Sequence, residues 1–566
     1  MSKYYFTRTT IDKNTLIEAD AILHDKEFRL MGNLQAIKFE GLDYEYPTQS
    51  HSAYVHGLRM VSILTDAFSI TKEILYISKA LYFINEWHHF SNNSSHQYLW
   101  YDHTVASRSL KLTYFLRECS SLISDDDIEL IERILLKHAD WLYDNSNYNS
   151  RGNHGIMQDQ ALIQLGQHFN KIEYTERAIE RVVNNFKNVF SKKGVHLENS
   201  VFYHFFVTSL FNKLIRFIES HDIVVNPFLM KEISELKYTI ISEGKIYASF
   251  LTKPDGNFPL EGDTEQLKPN ASDSDKSGVF FDSESGKLII KNDFDKGLYL
   301  FFKSGCRNIH HKHCDDLSLE LFYDNTDIFI DSGKYNYDSR NPLRRYFISP
   351  KAHSTLFVNN SSYIPSVSDR AFLEYFDRGN YRYARGVNLN YENVSLERHI
   401  VYLAGVVVIL DLAFSENEIS IHQNFNLSDS ILPDPASKLG MKLKLKTKTA
   451  SLVQHVAVDS FQQFYGDKEQ PRGWVSKTFN SCEPLKQIEF KSFGKEPMFL
   501  TSINLDTAKI NIENLHYNSK LNMISITING IQTQVNITSC ITQGGSVDNL
   551  LSTTGRLLSY AKKIIE

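Results

Sequence analysis

The residues best suited to chemistry lie in a histidine-rich segment at 309–316 and in the residues that follow it. His311 and His313 are one residue apart, and side chains on a strand alternate between faces with a period of two. We therefore expect a strand here that turns both rings to the same side. Two strand-like runs then flank an Asp-Asn turn at 324–325, and this hairpin is expected to bring Asp331 back towards His313.

His313, Asp331 and His353 form a candidate zinc site, because two imidazoles and one carboxylate are a ligand combination that suits zinc. An isolated His-x-His pair is more often a polar surface feature. The acid at the end of the returning strand and the third histidine before the next strand favour a metal. His311 is not needed as a ligand and is free to move protons. Cys314, adjacent to His313, is expected to face the other way.

A second candidate group, Asn153 and His154, lies at the start of a predicted helix. Asn153 is a good N-cap residue, which is a purely structural interpretation. Alternatively, the two side chains bind a carboxylate by hydrogen bonds, assisted by the positive end of the helix dipole. The sequence leaves both interpretations open.

Three further residues in the helical half are ambiguous. Tyr203, followed by His204, lies one turn into a predicted helix, where its phenol could reach a cleft, although a tyrosine on a helix face is usually part of the core. Arg108 has the same ambiguity. Asp263, in the loop Gly262-Asp263, is an acid near the expected domain junction without an assigned role.

The chain has 566 residues, more than one core usually organises, so at least two domains are expected. Residues from about 50 to 245 show helical periodicity with short connections and no fixed repeat, which predicts antiparallel helix pairs in an (α/α) toroid domain over 1–270. Periodic segments include 53–68 and one that follows a cap at Ser124. A polar, turn-rich stretch at 268–278 is predicted to be a linker or hinge. From there to about 550 strand follows strand with Asn, Asp and Gly turns, for example at 523–528, which predicts an antiparallel β-sandwich domain over 271–566.

Composition excludes several classes of protein. The net charge of −6 is small for this length and gives no argument for nucleic acid as a partner. Five scattered cysteines indicate no disulfide framework. The N-terminus lacks an apolar signal segment, and the longest apolar run, 401–414, is interrupted by Asp411 and too short to span a bilayer. We expect a soluble, cytoplasmic protein, or a periplasmic one if a leader has been removed.

Six short motifs follow one another along the chain. They are Asn-His-Gly at 153–155, Glu-x-Ser-x-x-Tyr-His at 198–204, Gly-Asp at 262–263, His-x-His-x-Asp at 311–315, Asp-x-Gly at 331–333, and Arg-Tyr-Phe with Ala-His-x-Thr at 345–355. In this order they resemble the heparinase II/III-like polysaccharide lyases, a family that includes oligoalginate lyases. Two departures stand out: Ser354 replaces the asparagine that usually follows the last histidine, and Met157 stands where some members carry a glutamate.

The resemblance implies a toroid, a sandwich and β-elimination at a 4-linked uronic acid. Such a reaction needs the substrate carboxylate neutralised, a base for the C5 proton and an acid for the departing oxygen. By resemblance, Asn153 and His154 neutralise the carboxylate. Tyr203 is the acid, and the base as well where geometry allows, while His311 is the base for the other uronate epimer. Zinc would be structural, and the residues expected to bind substrate are Arg108, His204, Arg344, Arg345 and Tyr346.

Two other classes of function compete with a lyase. A zinc-dependent glycan hydrolase could use the histidine cluster to activate water, and a catalytically silent protein could bind an acidic glycan through its many aromatic side chains. Elimination creates a conjugated, ultraviolet-absorbing product, whereas hydrolysis does not. The expected partner is an acidic polysaccharide or oligosaccharide, and homodimer formation is left open.

Overall fold

A computed structural model of the chain describes residues 13–31, 34–150, 152–267, 276–293, 295–359, 361–367, 370–429, 431, 433–437 and 439–539. Helices precede strands, as the sequence predicts. The chain forms two compact units, one comprising Met1–Val189 with Val207–Tyr238 and the other comprising Phe190–Phe206 with Thr239–Glu566. The predicted linker at 268–278 lies mostly outside the described residues.

The helices match the predicted periodic segments closely. One prediction was wrong: the helix expected over 53–68 is interrupted, because Leu58 adopts a left-handed backbone with φ of 53°. No helix among the described residues combines the length and apolar character needed to cross a bilayer. The α-helices are α1 Lys13–Leu23, α2 Gln49–His56, α3 Arg59–Thr71, α4 Ile74–Asn93, α5 Asp102–Cys119, α6 Asp125–Tyr143, α7 Gly152–His168, α8 Ile172–Val189, α9 Val201–Ser220, α10 Pro227–Lys237, α11 Gly244–Leu251 and α12 Pro342–Ile348, with a π-helix at Tyr238–Glu243.

Helix starts follow local capping chemistry. The side chain of Ser124 accepts the backbone N–H of Asp127, and three aspartates occupy the first turn of α6, where they complement the helix dipole. Asn226 caps α10 in the same way, with Pro227 in the first turn. The Ser124 cap is the one that the sequence predicts.

The strands form two large sheets and two small ones, and all pairings between them are antiparallel. They are β1 Gly278–Asp282, β2 Lys287–Lys291, β3 Tyr299–Lys303, β4 Ser318–Tyr323, β5 Thr326–Phe329, β6 Leu356–Val358, β7 Ala371–Asp377, β8 Arg382–Tyr391, β9 Val394–Leu403, β10 Val406–Ser415, β11 Ile419–Leu427, β12 Pro433–Ser437, β13 Gly440–Lys444, β14 Thr449–Gln454, β15 Ser460–Tyr465, β16 Trp474–Thr478, β17 Ser481–Pro484, β18 Lys486–Gly494, β19 Met498–Asn504, β20 Ile512–Asn518, β21 Met523–Ile528 and β22 Ile531–Asn536.

The first large sheet has the strand order β1-β2-β3-β4-β5-β11-β18-β15, with β6 paired to β11. The second has the order β12-β13-β14-β19-β10-β9-β8-β7. One apolar core contains side chains from both sheets, such as Leu300 of β3 and Ile409 of β10, so the two sheets pack face to face as a sandwich. The β16–β17 hairpin and the three strands β20–β22 form the small sheets.

The outer face of the first sheet is also covered. Tyr299 and Phe301 of β3 pack with Val201, at the start of α9, and with Tyr247 of α11. Strands β2, β3 and β4 are therefore buried on both faces, which explains their runs of consecutive buried residues. The same packing explains why 190–206 and 239–267 group with the strands. The expected domain boundary at 270/271 lies outside the described residues and stays a prediction.

A buried ion pair crosses the second sheet beneath the histidine segments. Arg398 of β9 makes two hydrogen bonds of 2.8 Å to Asp411 of β10, and both side chains are fully buried. The same guanidinium also donates to the carbonyl oxygens of Leu317 and Ser354, at 2.8 and 2.9 Å. Arg398 therefore holds the chain just after His313 and just after His353.

Replacement of Arg398 by Met should destabilise the second unit strongly, because Asp411 would keep a buried charge without its partner. We expect a loss of about 3–5 kcal/mol in the free energy of unfolding, measured by denaturant titration. The double variant Arg398→Met with Asp411→Leu should recover most of it. Lys477→Met, which breaks a partly exposed pair with Asp429, should cost about 1 kcal/mol or less. Equal losses of unfolding free energy in the single and double variants would contradict the conclusion that Asp411 needs Arg398 as its charge partner.

Candidate functional site

The histidine segment is a loop rather than a strand. The first strand after it, β4, begins only at Ser318, and His311 has a left-handed backbone with φ of 56°. The expectation that alternation along a strand turns His311 and His313 to one side was therefore wrong. The two rings nevertheless converge, because each binds one oxygen of the same carboxylate, that of Asp263.

Asp263 is the centre of the cluster. Its Oδ2 is 2.9 Å from Nδ1 of His311, and its Oδ1 is 3.0 Å from Nε2 of His313 and 2.6 Å from Nη1 of Arg344. Burial alone would raise the pKa of Asp263, but hydrogen bonds from His311 and His313 and the charge of Arg344 hold it well below its usual range. The carboxylate is therefore ionised at neutral pH, and Nδ1 of His311 donates to it.

The backbone at Gly262 brings Asp263 into place. Gly262 has φ of +56°, and a Cβ there would lie 2.1 Å from the carbonyl oxygen of Asn199, so only glycine fits. Asn199, just before α9, donates to the carbonyl oxygens of Asn308 and His310 at 2.6 and 3.1 Å. The acidic loop, the start of α9 and the histidine loop are thus joined to one another.

Buried charges fix the same loops from beneath. Glu261 binds Lys287 of β2 at 2.7 Å and Lys303 of β3 at 3.0 Å. Lys303 also donates to Asp315 at 2.8 Å, and Asp315 pairs with Lys312 between the two histidines. All five side chains are buried, so each charge depends on its partners. The network connects the residue before Gly262 to the residue after His311.

Tyr203 and His311, the two residues predicted to transfer protons, are in direct contact within this cluster. Their rings stack with centroids 3.6 Å apart and planes 18° apart. Both residues belong to the second compact unit, since Phe190–Phe206 groups with it. Burial raises the pKa of Tyr203, and the Tyr337 hydroxyl lies 3.4 Å from its own. The Tyr203 phenol is therefore neutral and able to donate a proton.

The second nitrogen of His311 remains available for proton transfer. Nε2 lies 3.8 Å from Oε2 of Glu198, beyond hydrogen-bonding distance. Glu198 is buried, and burial raises the pKa of its carboxyl group. A neutral imidazole with its Nδ1–H on a carboxylate and its Nε2 lone pair free can act as a base.

Three of the residues expected to bind substrate are buried inside their units. Arg108 is fully buried and donates to the carbonyl oxygens of His56 and Leu99 at 2.7 Å. His204 is 2 % exposed and packs edge-on against Tyr247, and burial lowers its pKa to about 3. Tyr346 is 5 % exposed, and its hydroxyl accepts the backbone N–H of Gly473. All three side chains are therefore shielded from solvent, and substrate binding by them stays a prediction.

The two arginines at 344 and 345 differ from each other. Arg344 lies inside the cluster, where it binds Asp263 and the carbonyl oxygen of Lys334. Arg345 is exposed and donates to the carbonyl oxygen of Arg340 at 2.5 Å. Arg344 is therefore a partner of the central carboxylate, whereas Arg345 is a surface cation.

The first compact unit holds the other candidate group. Helix α7 begins at Gly152, so Asn153 lies in its first turn rather than at the N-cap position, and its side chain is outside the described part of the structure. His154 Nδ1 is 3.1 Å from Oδ1 of Asp102, whose other oxygen accepts from Asn149. The hydrogen bond to Asp102 raises the pKa of His154, which favours the imidazolium needed to bind an anion.

Comparison with known sequences identifies the family. The family model described as Heparinase II/III N-terminus matches residues 8–277, and the one described as Heparinase II/III-like, C-terminal, matches residues 276–512. The chain belongs to the heparinase II/III-like family. No curated protein matches the sequence.

Solved structures show the fold of this heparinase II/III-like protein. A crystal structure of heparinase III is similar, with a TM-score of 0.76, 16% sequence identity, and coverage of 95% of this chain and 93% of that one. Heparan sulfate lyase HepC from Pedobacter heparinus is similar with a TM-score of 0.68 and 17% identity, over 95% of this chain and 91% of that one. A Streptomyces coelicolor A3 chondroitin AC lyase is similar with a TM-score of 0.51 and 9% identity, over 92% of this chain and 86% of that one. The predicted fold class, a helical toroid followed by an antiparallel sandwich, is confirmed.

The candidate zinc ligands are close together but are not arranged around one point. The rings of His313 and His353 lie 5.4 Å apart, and Nδ1 of His313 and Nε2 of His353 are buried without a hydrogen-bond partner in the described structure. Such buried nitrogens would suit a metal. Asp331, however, binds Nδ1 of His353 at 2.8 Å and the N–H of Gly333 at 3.0 Å. No group of three His, Cys, Asp or Glu side chains in the described ranges is arranged to hold an ion.

The sequence did not reveal the central role of Asp263. The signal available was the order Glu261-Gly262-Asp263, an acid on each side of a glycine near the domain junction. Tyr337 was also missed, since its position beside Tyr203 depends on the backbone path after β5.

Zinc binding by this heparinase II/III-like protein stays a prediction that metal analysis can decide. If His313, Asp331 and His353 hold zinc, protein purified without chelator should contain about one equivalent by elemental mass spectrometry, and His353→Ala should lose most of it. His516→Ala, at an exposed site in the same unit, is the matched control. Absence of zinc from the unaltered protein, after purification in zinc-containing buffer, would refute the ligand set.

Proposed function

We propose that this protein is a polysaccharide lyase that cleaves a uronic-acid-containing acidic glycan by β-elimination and leaves a 4,5-unsaturated uronosyl end. The observation that carries the proposal is the Tyr203–His311 stack, in which buried Asp263 holds one nitrogen of the imidazole. Family membership supports it, as do the similar structures, which are those of heparinase III, a heparan sulfate lyase and a chondroitin AC lyase. Glycosaminoglycans are therefore the first substrate class to test.

In the proposed reaction, Nε2 of His311 removes the proton from C5 of the uronate. The electron pair of the C5–H bond forms the C4=C5 double bond, while the C4–O4 bond breaks and its pair leaves with the oxygen. Asp263 supports this step because its negative charge stabilises the imidazolium that forms and fixes Nδ1 as the protonated nitrogen. Asp263 acts through His311, so we regard it as a positioning residue.

Tyr203 is the proposed acid. Because burial raises its pKa, the phenol is protonated at neutral pH and can donate to the departing O4 oxygen. Its contact with the His311 ring puts donor and acceptor side by side, as elimination on one face of a sugar requires. Where the substrate epimer presents its C5 proton differently, Tyr203 would act as base as well.

The acidity of C5 requires the substrate carboxylate to be neutralised. Asn153 and His154 are the residues proposed for that task. The raised pKa of His154 supports a cationic imidazole near neutral pH. In this proposal the positive end of the α7 dipole adds to that charge.

Tyr203→Phe and His311→Ala should each lower kcat by roughly 100- to 10,000-fold, since each removes a group that transfers a proton. A panel of acidic polysaccharides, screened by absorbance of the unsaturated uronate, would first identify the substrate. Tyr465→Phe and His516→Ala, exposed residues of the same unit, are matched controls that should keep full activity. Product from the panel that lacks the chromophore would favour a hydrolase, and undiminished kcat in both variants would remove the pair from the mechanism.

Asp263→Asn should lower kcat by about 10- to 100-fold with little change in KM, because an amide cannot hold both imidazoles as the carboxylate does. Circular dichroism should remain unchanged. The double variant with His311→Ala should be no slower than His311→Ala alone, since Asp263 acts through that ring. Multiplied losses in the double variant would show that Asp263 acts independently of His311.

A further inference from the structure

Two exposed aromatic side chains adjoin Tyr203 and His311. Tyr337 is 48% exposed and Phe479 is 46% exposed, and their ring centroids are 6.0 Å apart. The Tyr337 hydroxyl lies 3.4 Å from that of Tyr203, and its ring centroid is 6.4 Å from that of His311. We call Tyr337 and Phe479 the aromatic patch. Single exposed aromatic residues are common, but a pair that begins at a reactive group is not accounted for by packing.

Hydrogen bonds join the two backbone segments that carry the aromatic patch. Phe479 lies in the turn of the β16–β17 hairpin, whose next residue, Asn480, donates its N–H to the carbonyl oxygen of Tyr335 at 2.9 Å and accepts from Asn336 at 2.9 Å. Ser476 also donates to the carbonyl oxygen of Ser332 at 2.8 Å. The two residues of the aromatic patch thus come from chain segments that are hydrogen-bonded to each other.

Glycine is required where these two segments meet. Gly333 has φ of +74°, and a Cβ there would lie 2.2 Å from the carbonyl oxygen of Ser476. This close approach positions the hairpin turn beside the chain that leads to Tyr337. The patch is therefore preorganised rather than a pair of loose surface side chains.

A buried cation fixes the rings from below. Nζ of Lys334 lies 4.9 Å from the Tyr337 ring centroid, 5.4 Å from that of Phe479 and 5.5 Å from that of Phe202. The same Nζ donates to the Tyr337 hydroxyl at 3.2 Å and pairs with Glu265 at 2.7 Å. Lys334 is nearly fully buried and orients the two rings, which remain 48% and 46% exposed.

We propose that the aromatic patch is a sugar-binding subsite, which holds the residue of the glycan next to the one at Tyr203 and His311 by stacking on Phe479 and Tyr337. The inference rests on the proposed function and deepens it. A pyranose ring has a face of C–H groups that packs against an aromatic face, whereas its hydroxyls remain in water. The occupant is a sugar of the substrate chain because the patch continues directly from the reactive tyrosine through the Tyr337 hydroxyl.

Binding without turnover tests the subsite. In the His311→Ala background, the dissociation constants of oligosaccharides of increasing length, prepared from the polysaccharide that the panel identifies or from heparan sulfate if none is cleaved, would be measured by calorimetry. Phe479→Ala should weaken binding roughly three- to tenfold for oligosaccharides that reach the patch. The shortest fragments, which occupy only the site at Tyr203 and His311, should bind both proteins equally.

Matched variants separate stacking from other effects. Phe479→Tyr keeps the aromatic face and should bind like the unaltered side chain, whereas Phe479→Leu keeps apolar bulk without that face and should resemble Phe479→Ala. Phe493→Ala removes a comparably exposed phenylalanine, 55% exposed, from β18 of the same unit and should have no effect. In the active background, Phe479→Ala should raise KM with kcat nearly unchanged.

The outcomes distinguish the subsite from the lyase activity. If active protein yields the unsaturated product but Phe479→Ala binds every oligosaccharide as tightly as the parent, the subsite is refuted and the activity stands. If no unsaturated product forms but Phe479→Ala still weakens binding of longer fragments, the activity fails and the subsite stands. A loss that Phe493→Ala reproduces, or that is the same for all lengths, also refutes the subsite.

Discussion

The site depends on the hydrogen bonds and the charge pairing of one buried carboxylate, that of Asp263. A buried charge costs several kcal/mol unless hydrogen bonds and opposite charges surround it, and here two imidazoles and a guanidinium do so. Any displacement of His311, His313 or Arg344 would leave the carboxylate undersatisfied. The energetic requirement of one buried anion therefore determines the orientation of three side chains from two separate segments of the chain.

The sandwich supplies the frame for this arrangement. Strands β2 and β3 are buried on both faces, and the lysines on their outer face, Lys287 and Lys303, are neutralised by Glu261 rather than by solvent. Glu261 and Asp263 point into different charge clusters and are separated only by Gly262, whose backbone contacts Asn199 too closely for any side chain. Packing of the outer sheet face and geometry of the site are thus linked through a single turn.

The sequence predicted the order of elements well, because helical and strand periodicities are local properties of the chain. The start of α6 at its Ser124 cap and the complete strand β21 are examples. His311 could be singled out from the spacing of the histidines, and Tyr203 from the resemblance of its motif to a known family. Their direct stacking could not be, because it depends on an Asn199 side chain that joins segments more than a hundred residues apart.

Other features of the site depend on backbone conformation and long-range contacts, which the sequence alone does not show. The strand premise at 311–313 was wrong because His311 takes a left-handed backbone, which alternation rules do not anticipate. The guanidinium of Arg108 is a group that commonly binds anions, but here it donates its hydrogen bonds to backbone carbonyl oxygens of its own unit. The role of Asp263 emerges only when four separate segments are brought together, and a lone Gly-Asp pair does not specify that.

The backbone of His311 has a further consequence for how the protein could change over time. A histidine with φ of 56° stores conformational strain that glycine, or asparagine to a lesser degree, would relieve. Selection for heat tolerance alone would favour such a replacement, whereas selection for the proposed lyase reaction would oppose it. Under that proposal, the residue at this position should separate relatives that keep the activity from relatives that keep only the fold.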